Sequence, residues 1–369
     1  MTGRNGSFRL RRTGLAVLAV PLLIAAGSPS AKEKDPLAAD VERWEKYVRE
    51  NPSKDEFWTQ IKDSVTPAIA RTQQALKEGR RLLALQRLAS WRANLTGQVY
   101  VEKLPAAQRT DDKTFETEWA RVGKEIPKTS GSASSAPVAN LRPAALRAIG
   151  EAALPQVRGF YDASLEYGRN TMANFGLFYI GAALGQRDFV EFLGTLHEAA
   201  PRPAKEPRSL SAEMDVLEAD LLAAYRPPAS IDRHSEFIGA SATLNEAREL
   251  EDAALRYGAL LRYLQAALRI APLRPAPATP PTAEDVAKKL KQWESRFSEI
   301  QSDDSIGRIF LESAQSDLAA AASGGSLATA AAIVDDVLPR YFASLEPAPA
   351  PRARPDSRVT VTLVRWPYT

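Results

Sequence analysis

Two histidines offer the most direct route from side chains to catalysis in this 369-residue chain. His234, Ser235 and Glu236 match the first half of the sequence motif of a deaminase zinc site, but the cysteines that complete such a site are absent. His197 lies just before Pro201, at the predicted end of a helix, where a histidine is typically a surface residue near the C-terminal dipole. Neither histidine is therefore predicted to be catalytic or to bind metal.

Three pairs of adjacent aspartates are the next candidates: Asp111 and Asp112, Asp303 and Asp304, and Asp335 and Asp336. Glycoside chemistry needs two carboxylates about 5–10 Å apart across a cleft and in different environments. Neighbouring residues on a helix point about 100° apart, so an adjacent pair does not build such a site. Asp111 and Asp304 are predicted to precede helices instead, and Asp335 and Asp336 to be solvated in mid-helix.

The remaining signatures of catalytic or cofactor sites are absent from the sequence. It holds no glycine-rich nucleotide loop, no Walker lysine loop and no G-x-S-x-G turn. Ser326, in the nearest string to that turn, is predicted to cap a helix. Without cysteine, thiolate chemistry and thiolate metal sites cannot form. We therefore assign no catalytic, cofactor-binding or metal-binding residue, and no cofactor.

Residues 160–192 combine aromatic residues with arginines, a composition typical of recognition surfaces. The candidate interaction residues here are Arg158, Tyr161, Tyr167, Arg169, Tyr179 and Arg187. The same composition also fits the core of the largest domain, since buried aromatic side chains supply much of the apolar area of a core. Four glycines in this segment, at 168, 176, 181 and 185, indicate close helix packing and favour the core.

The elements that must position these residues are predicted to be helices. Apolar residues recur at alternating steps of four and three in segment after segment, which aligns them along one helix face. The predicted stripes include Leu37, Val41, Trp44 and Val48; Trp58, Ile61, Val65 and Ile69; and Val286, Leu290, Trp293, Phe297 and Ile300. The fold class is therefore predicted to be all-α, a multi-helix bundle or stacked helical hairpins.

Several helix starts are predicted from capping residues. Ser53 and Glu56 have the spacing of a capping box, and so do Thr243 and Glu246, which are predicted to open a long helix reaching Leu268. Thr282 is predicted to cap a further helix.

Prolines and small polar residues divide the chain into helical units. The predicted units are residues 37–126, 141–271 and 282–345, joined by a linker at 127–140 and a Pro-rich linker at 272–281. Residues 346–369 form a Pro-rich spacer and a short strand-like tail, in which Val359, Val361 and Leu363 alternate with threonines before Trp366. These four apolar residues are further candidates for an interaction surface. The tail is expected to remain solvated, to dock on its own chain near Gln98–Val101, or to bind a partner.

Residues 1–31 have the order of a secretory signal peptide. Four arginines precede an apolar run at 14–27, which is shorter than the roughly 20 residues that a membrane-spanning helix needs. Cleavage after Gly27 is expected, with cleavage after Ala31 or a retained anchor as alternatives. Removal of these arginines leaves 44 basic and 45 acidic residues, so the mature chain lacks the positive charge that nucleic-acid binding requires.

These observations leave three classes of function for an exported protein of the periplasm or the extracellular space. The favoured one is a non-catalytic binding or scaffold protein with an extracytoplasmic protein partner. The alternatives are an envelope enzyme that uses carboxylates on a helical scaffold, and a small-ligand binder with a cavity inside the bundle. The protein is not expected to bind nucleic acid. It is also expected to have no transmembrane span once the signal peptide is cleaved.

Overall fold

Helix follows helix through the chain because apolar residues recur with helical spacing in nearly every segment. The computed structural model describes residues 35–53, 55–126, 138–198, 200, 202–227, 230–275, 279–321 and 326–347. Its α-helices are α1 Pro36–Glu50, α2 Glu56–Lys77, α3 Arg81–Lys103, α4 Asp112–Val122, α5 Ala144–Asn170, α6 Ala173–Leu193, α7 Ser211–Ala224, α8 His234–Asp252, α9 Arg256–Ile270, α10 Ala283–Ser298, α11 Ser305–Ala320, α12 Leu327–Ala332 and α13 Leu338–Leu345.

Shorter helical turns join some of these elements. Residues Ala106–Gln108, Ile231–Arg233 and Ala271–Leu273 are 3₁₀-helical, and Ile333–Val337 is a π-helical turn between α12 and α13. No β-strand occurs within the described ranges. The prediction of an all-α fold is confirmed, whereas the strand-like tail lies outside the described residues. None of the helices described is long and apolar enough to span a membrane.

The predicted apolar stripes are, with few exceptions, the buried faces of the helices. All four predicted residues of α1 and all four of α2 are buried. In α10, Val286, Leu290 and Phe297 are buried, but Trp293 is only half-buried. Its ring stacks on Phe342 with centroids 5.1 Å apart, and its indole N–H donates to the Val334 carbonyl at 2.9 Å. Trp293 therefore closes the edge of the core and does not fill its centre.

Three of the predicted helix starts are confirmed. Asp111, Thr282 and Ser326 each accept a hydrogen bond from the backbone amide three residues later, which satisfies a free donor of the first turn. The predicted cap at Ser53 is wrong, since Asp55 accepts from the Trp58 amide at 3.1 Å and is the N-cap of α2. A carboxylate adjacent to the first helical residue competes successfully with a serine two residues earlier.

The predicted capping box at Thr243 is also wrong. Thr243 lies within α8, and its hydroxyl donates to the Gly239 carbonyl at 2.9 Å instead of capping a helix. The long helix predicted beyond it breaks at Ala254, which has a φ of 58°, in the left-handed region that alanine rarely adopts. The apolar stripe continues across this break, because α8 and α9 fold back on each other and bury their apolar faces together.

The main hydrophobic core draws on all three predicted helical units. Leu37 of α1, Leu146 of α5 and Phe297 of α10 belong to one contiguous cluster of buried side chains. A smaller cluster joins Phe115 of α4 to Tyr161 of α5 and to neighbouring residues of α6.

The hairpin of α5 and α6 is central to the molecule. Helix α6 packs against α3, α4 and α5, and its glycines allow these helices to approach closely. A Cβ on Gly181 would overlap the Tyr100 Cβ and lie 3.0 Å from the Gly97 Cα, so α3 and α6 are nearly in backbone contact. Gln98–Val101, the candidate strand for docking the tail, lies within α3 and is therefore helical.

The hairpin of α7 and α8 has fewer neighbours. Helix α7 packs on α8 and α9 through Leu210, Met214, Leu217 and Leu221, all of which are buried. The opposite side of α7 faces away from this core. The two hairpins thus differ in how completely their helices are covered.

Candidate functional site

The structure distributes the predicted aromatic and arginine residues between the core and the surface. Tyr161 belongs to the core: its ring stacks on Trp119 with centroids 5.5 Å apart, and its hydroxyl donates to the Trp119 carbonyl at 2.9 Å. Four glycines of the same segment allow tight packing, and Gly168 and Gly176 both face the Phe115 ring. Many of the residues between 160 and 192 therefore lie in the core, which is one of the two interpretations that their composition allowed.

The three predicted arginines all form ion pairs with nearby carboxylates. Arg158 pairs with Asp162 at 2.6 Å, and Arg169 pairs with Glu116 at 3.0 Å. Arg187 lies 2.9 Å from a carboxylate oxygen of Glu125 and 3.1 Å from one of Asp188. Arg169 thus joins α5 to α4, Arg187 joins α6 to the turn after α4, and Arg158 pairs within α5, so these arginines do not form an unpaired cationic surface.

Tyr167 and Tyr179 are brought together and remain accessible. Their rings stack with centroids 4.7 Å apart, and Tyr167 is 41% exposed. With Phe57, Phe175 and other residues of α2 and α6, they line a shallow groove of about 350 Å³. Burial, with the neighbouring Tyr167 hydroxyl, raises the pKa of Tyr179 to about 12. The other predicted interaction residues, Val359, Val361, Leu363 and Trp366, lie outside the described residues.

The aspartate pairs act in the structure as helix caps and ion-pair partners. Asp303 accepts from the backbone amides of Ala144 and Ser305, at 2.6 and 2.9 Å, and so satisfies the start of α5 from across the core. Asp304 precedes α11, as predicted, and pairs with Arg308 at 2.8 Å. These carboxylates stabilise helix ends.

A cleft of about 1120 Å³ lies between the Pro-rich stretch, α10 and the π-helical turn. Asp335 in this cleft accepts from the Lys289 ammonium at 2.6 Å, and Asp336 accepts from Arg274 at 3.0 Å. The prediction that both aspartates are solvated is wrong for Asp336, which is only half-exposed because Arg274 and Arg340 cover it. Each of these two carboxylates is thus paired with at least one cationic side chain.

Neither histidine belongs to a cluster of potential metal ligands among the described residues. The His234 ring nitrogen Nδ1 is 3.1 Å from the Tyr225 hydroxyl, and His197 is 3.1 Å from the Thr195 carbonyl. Among the described residues, no group of three or more histidine, cysteine, aspartate or glutamate side chains is arranged to hold a metal ion.

The most distinctive exposed surface was not predicted from the sequence. We call it the outer face of α7; it comprises Ala212, Val216, Ala219, Leu222 and Ala223, all of which are exposed. Val216 is 58% exposed and Leu222 is 66% exposed. Ile238 of the neighbouring α8 is 56% exposed, and Ile231 in the turn between the helices is 54% exposed. Large apolar side chains are thus concentrated on one peripheral hairpin.

The sequence contains a signal for this surface. Nine of the 14 residues of α7 are apolar, and they lie on all sides of the helix. A helix of this kind is normally covered on all sides. In the structure only one side of α7 is covered, so its outer face is an apolar surface without a neighbour among the described residues.

The same hairpin is strongly acidic. Residues 211–252 contain ten acidic and three basic residues, a net charge of −7, although the whole chain carries +3. Arg248 neutralises part of this charge by contacting Asp215 at 3.1 Å and Glu218 at 2.8 Å. Asp215 remains largely exposed, and Glu218 is about half-exposed. Exposed apolar and acidic side chains therefore lie side by side on this hairpin. Compared with known protein families, curated proteins and solved structures, the chain has no match.

Proposed function

We propose that this chain is an exported, non-catalytic binding protein whose docking surface is the outer face of α7. The observation that carries the proposal is the exposure of Val216 and Leu222 on a helix that is apolar on all sides. A partner that removes these apolar side chains from water would gain a binding free energy of about 25 cal/mol per Å² of buried apolar surface. Concentrated apolar surface with a polar rim is typical of a protein-interaction site.

The charge of the hairpin defines the chemistry of the partner. A net charge of −7 over residues 211–252 repels acidic proteins and attracts basic ones. Asp215 and Glu218, beside the outer face, are placed to receive lysine or arginine side chains. The occupant is therefore a partner segment with an apolar stripe flanked by basic residues.

Export is the second part of the proposal and rests on the sequence of residues 1–31. The absence of cysteine makes the fold independent of the redox state of its compartment. Intact-mass analysis of the protein from its native host should show a chain that begins at Ser28 or Lys32. A full-length chain recovered from the cytosol would contradict export without bearing on the docking surface.

Site-specific photocrosslinking in the native host tests the docking surface. A photoreactive residue replaces Leu222 in one variant, and Tyr167 or Lys113 in two controls on the aromatic groove and on α4. Crosslinking to a partner is expected from position 222 alone, through a partner segment that is apolar and basic. The purified partner should then bind about tenfold or more weakly to the Val216→Gln, Leu222→Gln double variant, because a few central residues dominate interface energy.

Two results would count against this docking surface. Crosslinks that arise from position 167 and not from 222 would move the binding site to the aromatic groove. Unchanged affinity of the double variant for the crosslinked partner would show that the contact at α7 is incidental.

A further inference from the structure

Five carboxamide side chains from four helices line one small cleft, which we call the amide cleft. Gln86 and Asn94 lie on α3, Gln156 on α5, Gln186 on α6 and Gln265 on α9. The cleft has a volume of about 180 Å³. Side chains of this type are mostly exposed in folded proteins, yet Gln186 is only 1% exposed. The four helices therefore hold polar groups around a space that the apolar core does not fill.

Much of the hydrogen-bonding capacity of these amides is unused within the described residues. The Gln186 Nε2 group donates to the Gln156 Oε1 atom at 2.8 Å, which leaves the Gln186 Oε1 and Gln156 Nε2 atoms without a described partner. The side-chain amides of Gln86 and Asn94 form no hydrogen bond with any described residue. Because unpaired polar groups are costly in a buried setting, these donors and acceptors favour a polar molecule in the cleft.

The charges around the amide cleft favour a neutral ligand. None of the described residues that line it is an aspartate or a glutamate. Arg262 lines the cleft, but Glu246 neutralises it at 3.0 Å, and the Gln265 Oε1 atom accepts from it at 2.9 Å. The other lining arginine, Arg269, is exposed, and so is Ser90. The cleft therefore opens to solvent beside Arg269 and Ser90.

An aromatic side chain supplies part of the apolar wall. Phe160 of α5 is half-buried and lines the cleft together with alanines of α3 and α5. An aromatic face packs against C–H groups, and carboxamides both donate to and accept from hydroxyl groups. A sugar ring presents C–H groups on its faces and hydroxyl groups around its edge. Pockets for drug-sized ligands begin at about 300 Å³, so this smaller cleft has room for one ring.

We propose that the amide cleft is a binding site for a single sugar ring. The amides of Gln86, Asn94, Gln156 and Gln186 hydrogen-bond to the ring hydroxyl groups, and Phe160 packs against a C–H face. No residue of the outer face of α7 lines this cleft, so the two sites are separate. The inference goes beyond the proposed function and does not depend on it, because it gives the chain a small-molecule ligand in addition to a protein partner.

An NMR titration of the isotope-labelled mature chain with D-glucose, D-galactose and D-mannose tests the site. The second and third sugars each differ from D-glucose in the orientation of one hydroxyl group. At least one of the three should shift the side-chain amide resonances of the cleft in a saturable way. The Kd is expected to be on the order of 1 mM, as for a weakly bound ligand of about twelve heavy atoms. Glycerol, which has hydroxyl groups but no ring, should leave these resonances unchanged.

Two variants place the binding in the amide cleft. Gln156→Leu with Gln186→Leu should weaken binding about tenfold or more, because a hydrogen bond to a ligand is worth roughly that factor. Replacing both amides of the pair leaves neither unpaired, so the fold should be retained. Asn94→Ala removes an amide that no described residue needs, and it should also weaken binding. The matched control Gln108→Leu, at an exposed glutamine outside the cleft, should leave the Kd unchanged.

Denaturation midpoints establish that each variant is folded before its affinity is compared. The inference would be overturned if none of the three sugars gave saturable shifts at about ten times the expected Kd. Unchanged affinity in the folded Asn94→Ala protein and in the folded double variant would overturn it as well, and so would equal shifts with glycerol. None of these results bears on the docking surface, which crosslinking from position 222 tests independently.

Discussion

Helices α6 and α7, one from each of the hairpins α5–α6 and α7–α8, contain similar fractions of apolar residues but use them differently. Helix α6 is apolar on all sides and is covered by α3, α4 and α5. Helix α7 is also apolar on all sides, yet it is covered only on the side that faces α8 and α9. Because exposure depends on the number of neighbouring helices, composition alone does not distinguish a core helix from a docking helix.

Charge separates the two hairpins more clearly. Residues 144–193 contain four basic and five acidic residues, whereas residues 211–252 carry a net charge of −7. The arginines of the first hairpin are matched to carboxylates within reach, as in the Arg169–Glu116 pair. The second hairpin has more carboxylates than its three arginines can pair, and arginines from outside it pair with some of the rest, as in Arg262–Glu246 and Arg274–Asp220. An excess of acidic residues beside exposed apolar residues is therefore what distinguishes the second hairpin from the first.

The largest loss of stability in a comparison of the two hairpins is expected on substitution of Glu151 of α5. This carboxylate is fully buried, pairs with Arg147 at 2.7 Å and accepts from the Gly258 amide at 2.8 Å. Glu151→Ala removes one partner of a buried ion pair and should lower the free energy of unfolding by about 3–5 kcal/mol. Chemical denaturation measures the loss, with the exposed Glu166→Ala in the same helix as the control. Equal effects of the two substitutions would show that α5 is not held by this pair.

An intermediate loss of stability is expected on substitution at the contact between α6 and α3. Gly181→Ala inserts a methyl group where the Tyr100 Cβ already lies, and overpacking of this kind should cost about 1–3 kcal/mol. Gly159→Ala is the matched control, because no other atom lies within 4 Å of its Cβ position in α5. The control should stabilise the protein by up to about 1 kcal/mol, since alanine is the better helix former. Thermal unfolding shows whether each variant is more or less stable than the parent protein. Stabilisation by both substitutions would mean that α3 and α6 are farther apart.

The smallest effect is expected on the outer face of α7. Val216→Ala should change the free energy of unfolding by no more than about 0.5 kcal/mol, because this side chain packs on few atoms of the body. Leu217→Ala, one residue further along the same helix, should cost about 2–5 kcal/mol because Leu217 is fully buried. Denaturant midpoints of the two variants make the comparison. A large loss at Val216 would place that face in the core and contradict a docking role.

The helical periodicity predicted much of the fold, because the apolar stripes of α1, α2 and α10 are local features that repeat within each helix. Competition between neighbouring groups limited the prediction of helix ends: Asp55 outcompetes Ser53, and Ala254 breaks a stripe that is otherwise continuous. The site was harder to predict. Tyr161 and Tyr167 differ by less than two helical turns, yet Trp119 of α4 covers only Tyr161. Such differences depend on which distant helix packs nearby.

The near-contact of α3 and α6 also restricts how this sequence can vary over evolution. Inserting one residue early in α6 would turn the rest of the helix by about 100° and replace Gly181 on the α3-facing side with a side chain that has a Cβ. The insertion would separate the helices, so the length of α6 is fixed along with its glycines. The outer face of α7 has no such geometric restriction, so its residues can be exchanged one at a time without moving a neighbouring helix. Within one chain, therefore, one hairpin evolves under the constraint of register, whereas the outer face of the other does not.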